Sequence, residues 1–167
     1  MTCFFIGHRD APEDIYAKLR EAVADHITEH GVTDFVVGHY GRFDSMAARA
    51  VREEKVRYPE VTLTLLLPYY PYTYDTDKYD GSFYPPGMEA VPKPYAIVRA
   101  NQYMLRHSEY LICYCRGYPG NTRSLVETAL RLEREGRIRI TNIKKNNTDI
   151  YVNLKSVSFC ENGPRKH

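Results

Sequence analysis

The chain repeats one local pattern, in which a short apolar run ends at a glycine beside histidine and arginine and then gives way to helical periodicity. Apolar and aromatic runs of this length indicate buried strands, and a terminal glycine lets the backbone turn sharply and approach a ligand closely. Two such corners predict an open parallel sheet with a ligand cleft at the carboxyl ends of its strands. The first copy is CFFI at 3–6 with Gly7, His8 and Arg9, and the second is FVV at 35–37 with Gly38, His39, Gly41 and Arg42.

The alternation of strand and helix continues along the chain. Strands are predicted at 61–67, 109–114 and 138–143, with helical patterns between them. Such alternation implies right-handed crossovers and helices on both faces of the sheet. We therefore predict one domain spanning residues 1–167, with a Rossmann-like, mostly parallel five-stranded sheet in which strand one is central. Residues 151–159 alternate weakly, which is compatible with an added edge strand.

A tyrosine-rich stretch at 68–94 interrupts this rhythm. A loop of that length inside a compact domain is functional or partly disordered, and its aromatic content argues against disorder. We predict an ordered cover over one end of the sheet. One or two rings in it have the chemistry to stack on a nucleobase, but anchoring of the loop or of a dimer contact explains most of them better.

Composition narrows the classes of partner. The net charge of +2 argues against nucleic acid, and no long apolar span or signal peptide is visible, so we expect a cytoplasmic protein. The four cysteines form no Cys-x-x-Cys pair, and the acidic run at 75–81 fails the calcium-loop spacing, so no metal site is predicted. Homodimers are common in this fold, and we expect a homo-oligomer on that ground alone.

A third glycine corner, at 117–122, follows the strand at 109–114. The three corners should lie at one edge of an open sheet, where glycine turns and helix N-termini bind anions such as phosphate. Arginines there make bidentate contacts with phosphate, and histidines exchange protons. Asp44 is placed either to hold a ribose hydroxyl or to cap its helix. The side chains concerned are His8, Arg9, His39, Arg42 and Asp44.

The familiar nucleotide fingerprints are missing. The sequence contains neither Gly-x-Gly-x-x-Gly nor a P-loop lysine motif. Hydride transfer with a bound nicotinamide and hydrolysis of a nucleoside triphosphate are therefore disfavoured, and we expect no resident cofactor.

Several short motifs, in order across residues 3–143, together resemble the SLOG superfamily. The nearest branch is similar to the YpsA-type proteins, relatives of the LOG phosphoribohydrolases and of DprA/Smf. The resemblance implies a Rossmann-like domain that binds nucleotides or nucleotide-derived ligands. The motifs are CFFIGHR at 3–9, Gly38-x-x-Gly41-x-Phe43-Asp44, LLLP at 65–68, Asn101-x-Tyr103-Met104 and Gly120-Asn121-Thr122.

The resemblance also implies roles for individual residues. Gly7, His8 and Arg9 would line the pocket, Gly38, Gly41 and Asp44 would form its second wall, and Gly120, Asn121 and Thr122 would cradle a phosphate. LOG enzymes carry Pro-Gly-Gly-x-Gly-Thr-x-x-Glu, whose glutamate supports N-glycosidic cleavage. Glu127 stands at the matching distance from Pro119 and Gly120, but Asn121 and Arg123 replace the intervening glycines.

Three functions remain open on these observations. The first is a binding module or sensor for a phosphate-bearing nucleotide derivative, without chemistry of its own. The second is a nucleoside 5′-monophosphate N-glycosidase of the LOG type, in which Glu127 is the catalytic residue. The third is a role in DNA processing, which the small net charge and the absence of a basic, aromatic stripe disfavour.

Overall fold

The computed structural model describes residues 1–70, 76–117 and 119–143. Within them, six strands form a single sheet in the order β4-β3-β2-β1-β5-β6, and every neighbouring pair is parallel. The central strand is the first one, as the sequence predicts. The strands are β1 (Thr2–Gly7), β2 (Asp34–Val37), β3 (Thr62–Leu66), β4 (Gly81–Phe83), β5 (Tyr110–Tyr114) and β6 (Arg139–Asn142).

Helices cover both faces of the sheet, so the molecule has three layers. Two of them pack on one face and two on the other, and each face has its own apolar core. The fold is α/β and Rossmann-like, in agreement with the prediction. The helices are α1 (Tyr16–Thr28), α2 (Arg42–Lys55), α3 (Ala96–Arg106) and α4 (Asn121–Arg134).

The continuous apolar run of β1 is explained by its central position. Cys3 and Phe5 belong to the core under α1 and α2, whereas Phe4 and Ile6 belong to the core under α3 and α4. A strand buried on both faces carries apolar residues throughout, because alternate side chains enter different cores. The register pairs Gly7 with Tyr114 of β5, so the carboxyl ends of the central strands meet at one edge.

The tyrosine-rich stretch differs from the prediction of an uninterrupted loop. It contains β4, which pairs with β3 and extends the sheet from five strands to six, and two short 3-10 turns, Met88–Ala90 and Lys93–Tyr95. The three residues of β4 show no apolar alternation, so the strand depends on β3 for its pairing. Tyr69 and Tyr84 pack against the core under α3 and α4.

Two further observations concern the boundaries of these elements. A 3-10 turn (Glu13–Ile15) precedes α1 without a side-chain cap, and Asp10 forms an ion pair with Arg116. The predicted edge strand at 151–159 lies outside the described residues. None of the described helices has the length and apolar character needed to cross a membrane.

Candidate functional site

A cavity of about 100 Å³ opens at the carboxyl edge of the sheet, where the corner after β1, the corner after β2 and the start of α4 meet. This is the edge at which open α/β sheets bind ligands. The convergence expected from the sequence is therefore present. The predicted residues that line the cavity are Gly7, His8, Arg9, Gly38, Gly41, Asp44, Asn121 and Thr122.

Two glycines allow the corner after β1 and the corner after β2 to pack closely against each other. A Cβ atom on Gly7 would lie 2.1 Å from the ring of Phe43, and one on Gly41 would lie 2.5 Å from the Cα of Arg9. The backbone N–H of Arg42 donates to the carbonyl of Arg9 at 2.9 Å. Glycine is needed at both positions because the chain segments approach more closely than any side chain permits.

Asp44 lies in the first turn of α2 and lines the cavity wall. Its Oδ2 accepts a hydrogen bond from the backbone N–H of Tyr40 at 3.0 Å, and a Cβ on Gly38 would lie 3.0 Å from the same oxygen. Burial raises the pKa of the Asp44 carboxyl to about 6, against smaller opposing effects of the Tyr40 N–H and the Arg9 guanidinium. The group can therefore exchange a proton near neutral pH, or accept a hydrogen bond from a ligand hydroxyl.

His8 is half-buried at the end of β1 and also lines the cavity. Its Nε2 accepts a hydrogen bond from the backbone N–H of Arg116 at 2.9 Å, and its ring makes an edge contact with Tyr114, with 5.9 Å between centroids. Burial, followed by the nearby Arg116 guanidinium, lowers the pKa of His8, with Asp10 acting in the opposite sense. The corners after β1 and β5 are thereby joined through this imidazole.

The third wall of the cavity is the N-terminus of α4. Gly120 is the N-cap residue, has φ 147°, and offers no side chain to the first turn. The N–H groups of a helix's first turn have no intrahelical acceptor and carry the positive end of the helix dipole. Asn121 and Thr122, which follow Gly120, therefore give the cavity backbone donors suited to an anion.

Four predicted site residues do not line the cavity. Arg42 is exposed, and His39 is half-buried with its pKa lowered by burial and by Lys78. Glu127 is exposed and pairs with Arg123 at 2.9 Å, one helical turn away. The binding or catalytic roles of these residues stay predictions. The four are His39, Arg42, Gly120 and Glu127.

Sequence reasoning missed the wall supplied by α3. Ile97, Val98 and Asn101 of this helix line the cavity, together with Leu125 of α4 and Tyr40. The amide of Asn101 is the polar group on this mostly apolar wall. Its occurrence in the Asn101-x-Tyr103-Met104 motif was the available signal, but helical periodicity alone does not tell which face of a helix meets a cleft.

Comparison with known proteins finds similarity in fold to a solved structure. No protein-family model and no curated protein matches the chain. The fold is similar to that of DNA processing protein A from Helicobacter pylori, a structure described in terms of a unique single-stranded DNA binding mode. The TM-score is 0.51 at 13% sequence identity, and the match covers 84% of this chain and 74% of that one.

This match corrects one prediction. The argument against nucleic acid as a partner is wrong, because a protein of matching fold is described as binding single-stranded DNA. The physical reason is that a net charge of +2 does not report how charge is distributed over a surface. The likeness establishes a shared Rossmann-like fold, whereas the SLOG relationship and its YpsA-type branch stay predictions.

Proposed function

We propose that the protein is a binding module for a phosphate-bearing nucleotide or nucleotide derivative. The observation that carries this proposal is that a helix N-terminus, a histidine and a carboxylate from three separate chain segments share one cavity. Each of these groups alone is common at a sheet edge. Together they match the chemistry of a phosphorylated sugar, which presents anionic oxygens next to hydroxyl groups.

The phosphate is assigned to the side of the cavity formed by α4. The first-turn N–H groups at Asn121 and Thr122 lie at the positive end of the α4 dipole, which attracts an anion. Arg9 is exposed at the cavity rim and adds a positive charge there. An anion in this position gains several charge-assisted hydrogen bonds without requiring a lysine motif.

The hydroxyl groups of a ribose are assigned to Asp44. An ionised carboxylate accepts hydrogen bonds from hydroxyls and repels a phosphate. The ribose is therefore placed at the Asp44 wall and the phosphate at the α4 wall. The apolar residues Ile97, Val98 and Leu125 form the remaining wall, which suits the face of a sugar or base. These three environments together support a phosphorylated nucleotide derivative as the ligand class.

A melting-temperature screen tests the proposal. AMP, ADP-ribose, NAD and inorganic phosphate are compared with adenosine, which lacks phosphate. A ligand at one hundred times its dissociation constant adds about 2.7 kcal/mol, which raises Tm by roughly 5–10 °C in a chain of this size. If millimolar phosphate-bearing compounds leave Tm where adenosine leaves it, the proposal fails.

Single-stranded DNA is a second candidate ligand, favoured by the match to DNA processing protein A. Its nucleotides carry the same phosphate chemistry, so the same screen includes a short thymidine oligonucleotide. DNA binding through phosphates weakens steeply with salt, whereas a single buried phosphate contact responds weakly. An oligonucleotide affinity that falls by orders of magnitude between 50 and 200 mM salt would assign the site to DNA.

The LOG-like hydrolase is the alternative that involves catalysis. Its test is base release from nucleoside 5′-monophosphates by the wild-type chain and by Glu127→Gln, with Glu133→Gln as the matched control on the same helix. Loss of release in Glu127→Gln alone supports catalysis. Equal release in both variants removes Glu127 from the mechanism, and no release from the wild type leaves the binding module as the function.

A further inference from the structure

The hydrogen bond between His8 and Arg116 defines the protonation state of the imidazole. The backbone N–H of Arg116 is a donor and has no capacity to accept, and it lies 2.9 Å from Nε2 of His8. Nε2 must therefore carry a lone pair and no proton. In a neutral imidazole the single proton then resides on Nδ1, so one backbone amide selects both the charge and the tautomer of His8.

The surroundings favour the same state. The Arg116 guanidinium lies near His8 and forms an ion pair with Asp10, which keeps this positive charge in place beside the ring. Burial and that charge both lower the pKa of His8, against the smaller opposing effect of the Asp10 carboxylate. Protonation would also break the bond from the Arg116 amide, because Nε2 would become a second donor facing a donor.

The orientation of the ring is fixed as well as its charge. Tyr114 contacts the imidazole edge-on, with an interplanar angle of 88°. Within residues 1–70, 76–117 and 119–143, the hydrogen bond of the His8 ring is the one that Nε2 accepts, which leaves Nδ1 without a protein acceptor. His8 lines the cavity. A donor held in one direction and lacking a protein acceptor is ready for an acceptor on a ligand.

We propose that His8 is a specificity residue of the cavity, held as the neutral Nδ1–H tautomer by the Arg116 amide so that it donates one hydrogen bond to an anionic oxygen of the ligand. This inference rests on the proposed function and adds a side-chain donor to the α4 amides and Arg9 that were assigned to the anion. The site then selects for acceptor oxygens such as those of phosphate, and against ligands that present an N–H at that point.

The tautomer is measured directly by ¹⁵N NMR of the imidazole nitrogens in the free protein. We expect the chemical shifts and proton couplings of His8 to show Nδ1 protonated and Nε2 unprotonated at pH 7.5. His26 is an internal reference, because its Nδ1 lies 2.6 Å from the carbonyl of Ala22 and must also carry the proton. A protonated Nε2 on His8 overturns the inference whatever any ligand does.

The contact to the ligand is tested on the same spectra. Inorganic phosphate and AMP are titrated separately, and we expect the Nδ1 resonance of His8 to shift while Nε2 stays bonded to Arg116. If phosphate shifts the Nδ1 resonance of His8 and no nucleotide binds, this inference holds and the proposed function fails. If neither compound moves it at millimolar concentration, His8 does not recognise an anion.

Two substitutions measure how much the hydrogen bond donated by His8 contributes to ligand affinity. His8→Phe removes it while keeping an aromatic ring beside Tyr114, and we expect phosphate or AMP to bind roughly tenfold more weakly. His8→Gln supplies an acceptor for the Arg116 amide and a donor for the ligand, and should retain most of the affinity. Equal affinities in all three proteins contradict the proposal, and the NMR result on the wild type decides it if a variant fails to fold.

Discussion

Gly7 shows at the level of one residue how tightly the cavity is built. The atoms that a side chain would meet belong to Phe43, which is fully buried and stacks on Tyr114 while contacting Phe5 edge-on. The ring cannot retreat without disturbing the core under α1 and α2. Because the Phe43 ring approaches so closely, glycine is the residue that fits at position 7.

Gly7→Ala should therefore destabilise the protein. Overpacking in a filled core costs about 1–3 kcal/mol, and we expect a loss in this range in urea unfolding. Gly81→Ala is the matched control, since no heavy atom lies within 4 Å of the added Cβ. A Gly7→Ala variant as stable as the Gly81→Ala variant would mean that Phe43 yields easily.

The ionisation of Asp44 has a consequence for stability. Its pKa is 3.8 as a free side chain and about 6 in the folded protein. Between these values the folded chain holds a proton that the unfolded chain has released, so the contribution of Asp44 to stability falls as pH rises through this window. Above about pH 6 the cost of the buried charge is fully present.

Asp44→Asn should remove this cost while keeping an oxygen for the Tyr40 amide. We expect the variant to match the wild type near pH 4 and to exceed its stability above pH 6 by on the order of 2–3 kcal/mol. The measurement is the difference in Tm between the two proteins from pH 4 to pH 8. Other titrating groups, such as His26, are common to both and cancel. A pH-independent difference contradicts the assignment.

At the level of secondary-structure elements, α1 and α2 are joined by ion pairs, one of which includes the buried carboxylate of Glu54. Arg20 donates through Nε to Oε1 of Glu54 at 2.9 Å and pairs with Glu53 at 2.9 Å. Glu54 is 4% exposed, so its charge is poorly hydrated. Removing the partner of a buried charge is more damaging than removing an exposed pair, because the remaining charge loses its compensation.

Arg20→Met should lower Tm clearly, and the second substitution Glu54→Met in the same chain should restore much of the loss. Arg137→Met is the control on α4's side of the sheet, since the Arg137–Glu135 pair spans 3.6 Å between two exposed side chains. Differential scanning calorimetry of the four proteins makes the comparison. The idea is rejected if Arg20→Met and Arg137→Met change Tm equally.

In the whole molecule, the cavity depends on segments that are more than one hundred residues apart, such as Gly7 and Asn121. A negative charge added at the start of α4 is therefore expected to affect helix stability and ligand binding in opposite directions. A carboxylate at the N-terminus of a helix is favourable for the helix by about 0.3–1 kcal/mol. At the start of α4, such a carboxylate would also occupy the place in the cavity that is assigned to the phosphate.

Thr122→Glu should thus keep or slightly raise Tm while reducing AMP affinity at least tenfold. Thr128→Glu places the same charge in the middle of α4 and should leave affinity unchanged. Isothermal titration calorimetry at fixed ionic strength measures both. Unchanged binding by Thr122→Glu would show that the anion is held elsewhere.

The layers of the fold and the parallel direction of its sheet were predictable from local sequence patterns. Apolar runs ending in glycine, separated by helical periodicity, suffice for a parallel sheet, because burial on both faces imposes apolar residues at every strand position. They also placed Gly7, Gly38 and Gly41 at the edge where the cavity lies, since the carboxyl ends of parallel strands lie at the same edge of a sheet. Local patterns carry this information, as the apolar sequence of β1 shows.

Which side chains contact one another was not predictable from these patterns. The Arg116 amide that selects the tautomer of His8, the approach of α3 with Asn101, and the pairing of β4 with β3 depend on contacts between residues distant in sequence. Asp44 illustrates the same limit, because its spacing suggested a cap or a ribose ligand while its raised pKa follows from burial. Periodicity reports which face of an element is apolar, and chemistry at a site depends on what the other elements bring to it.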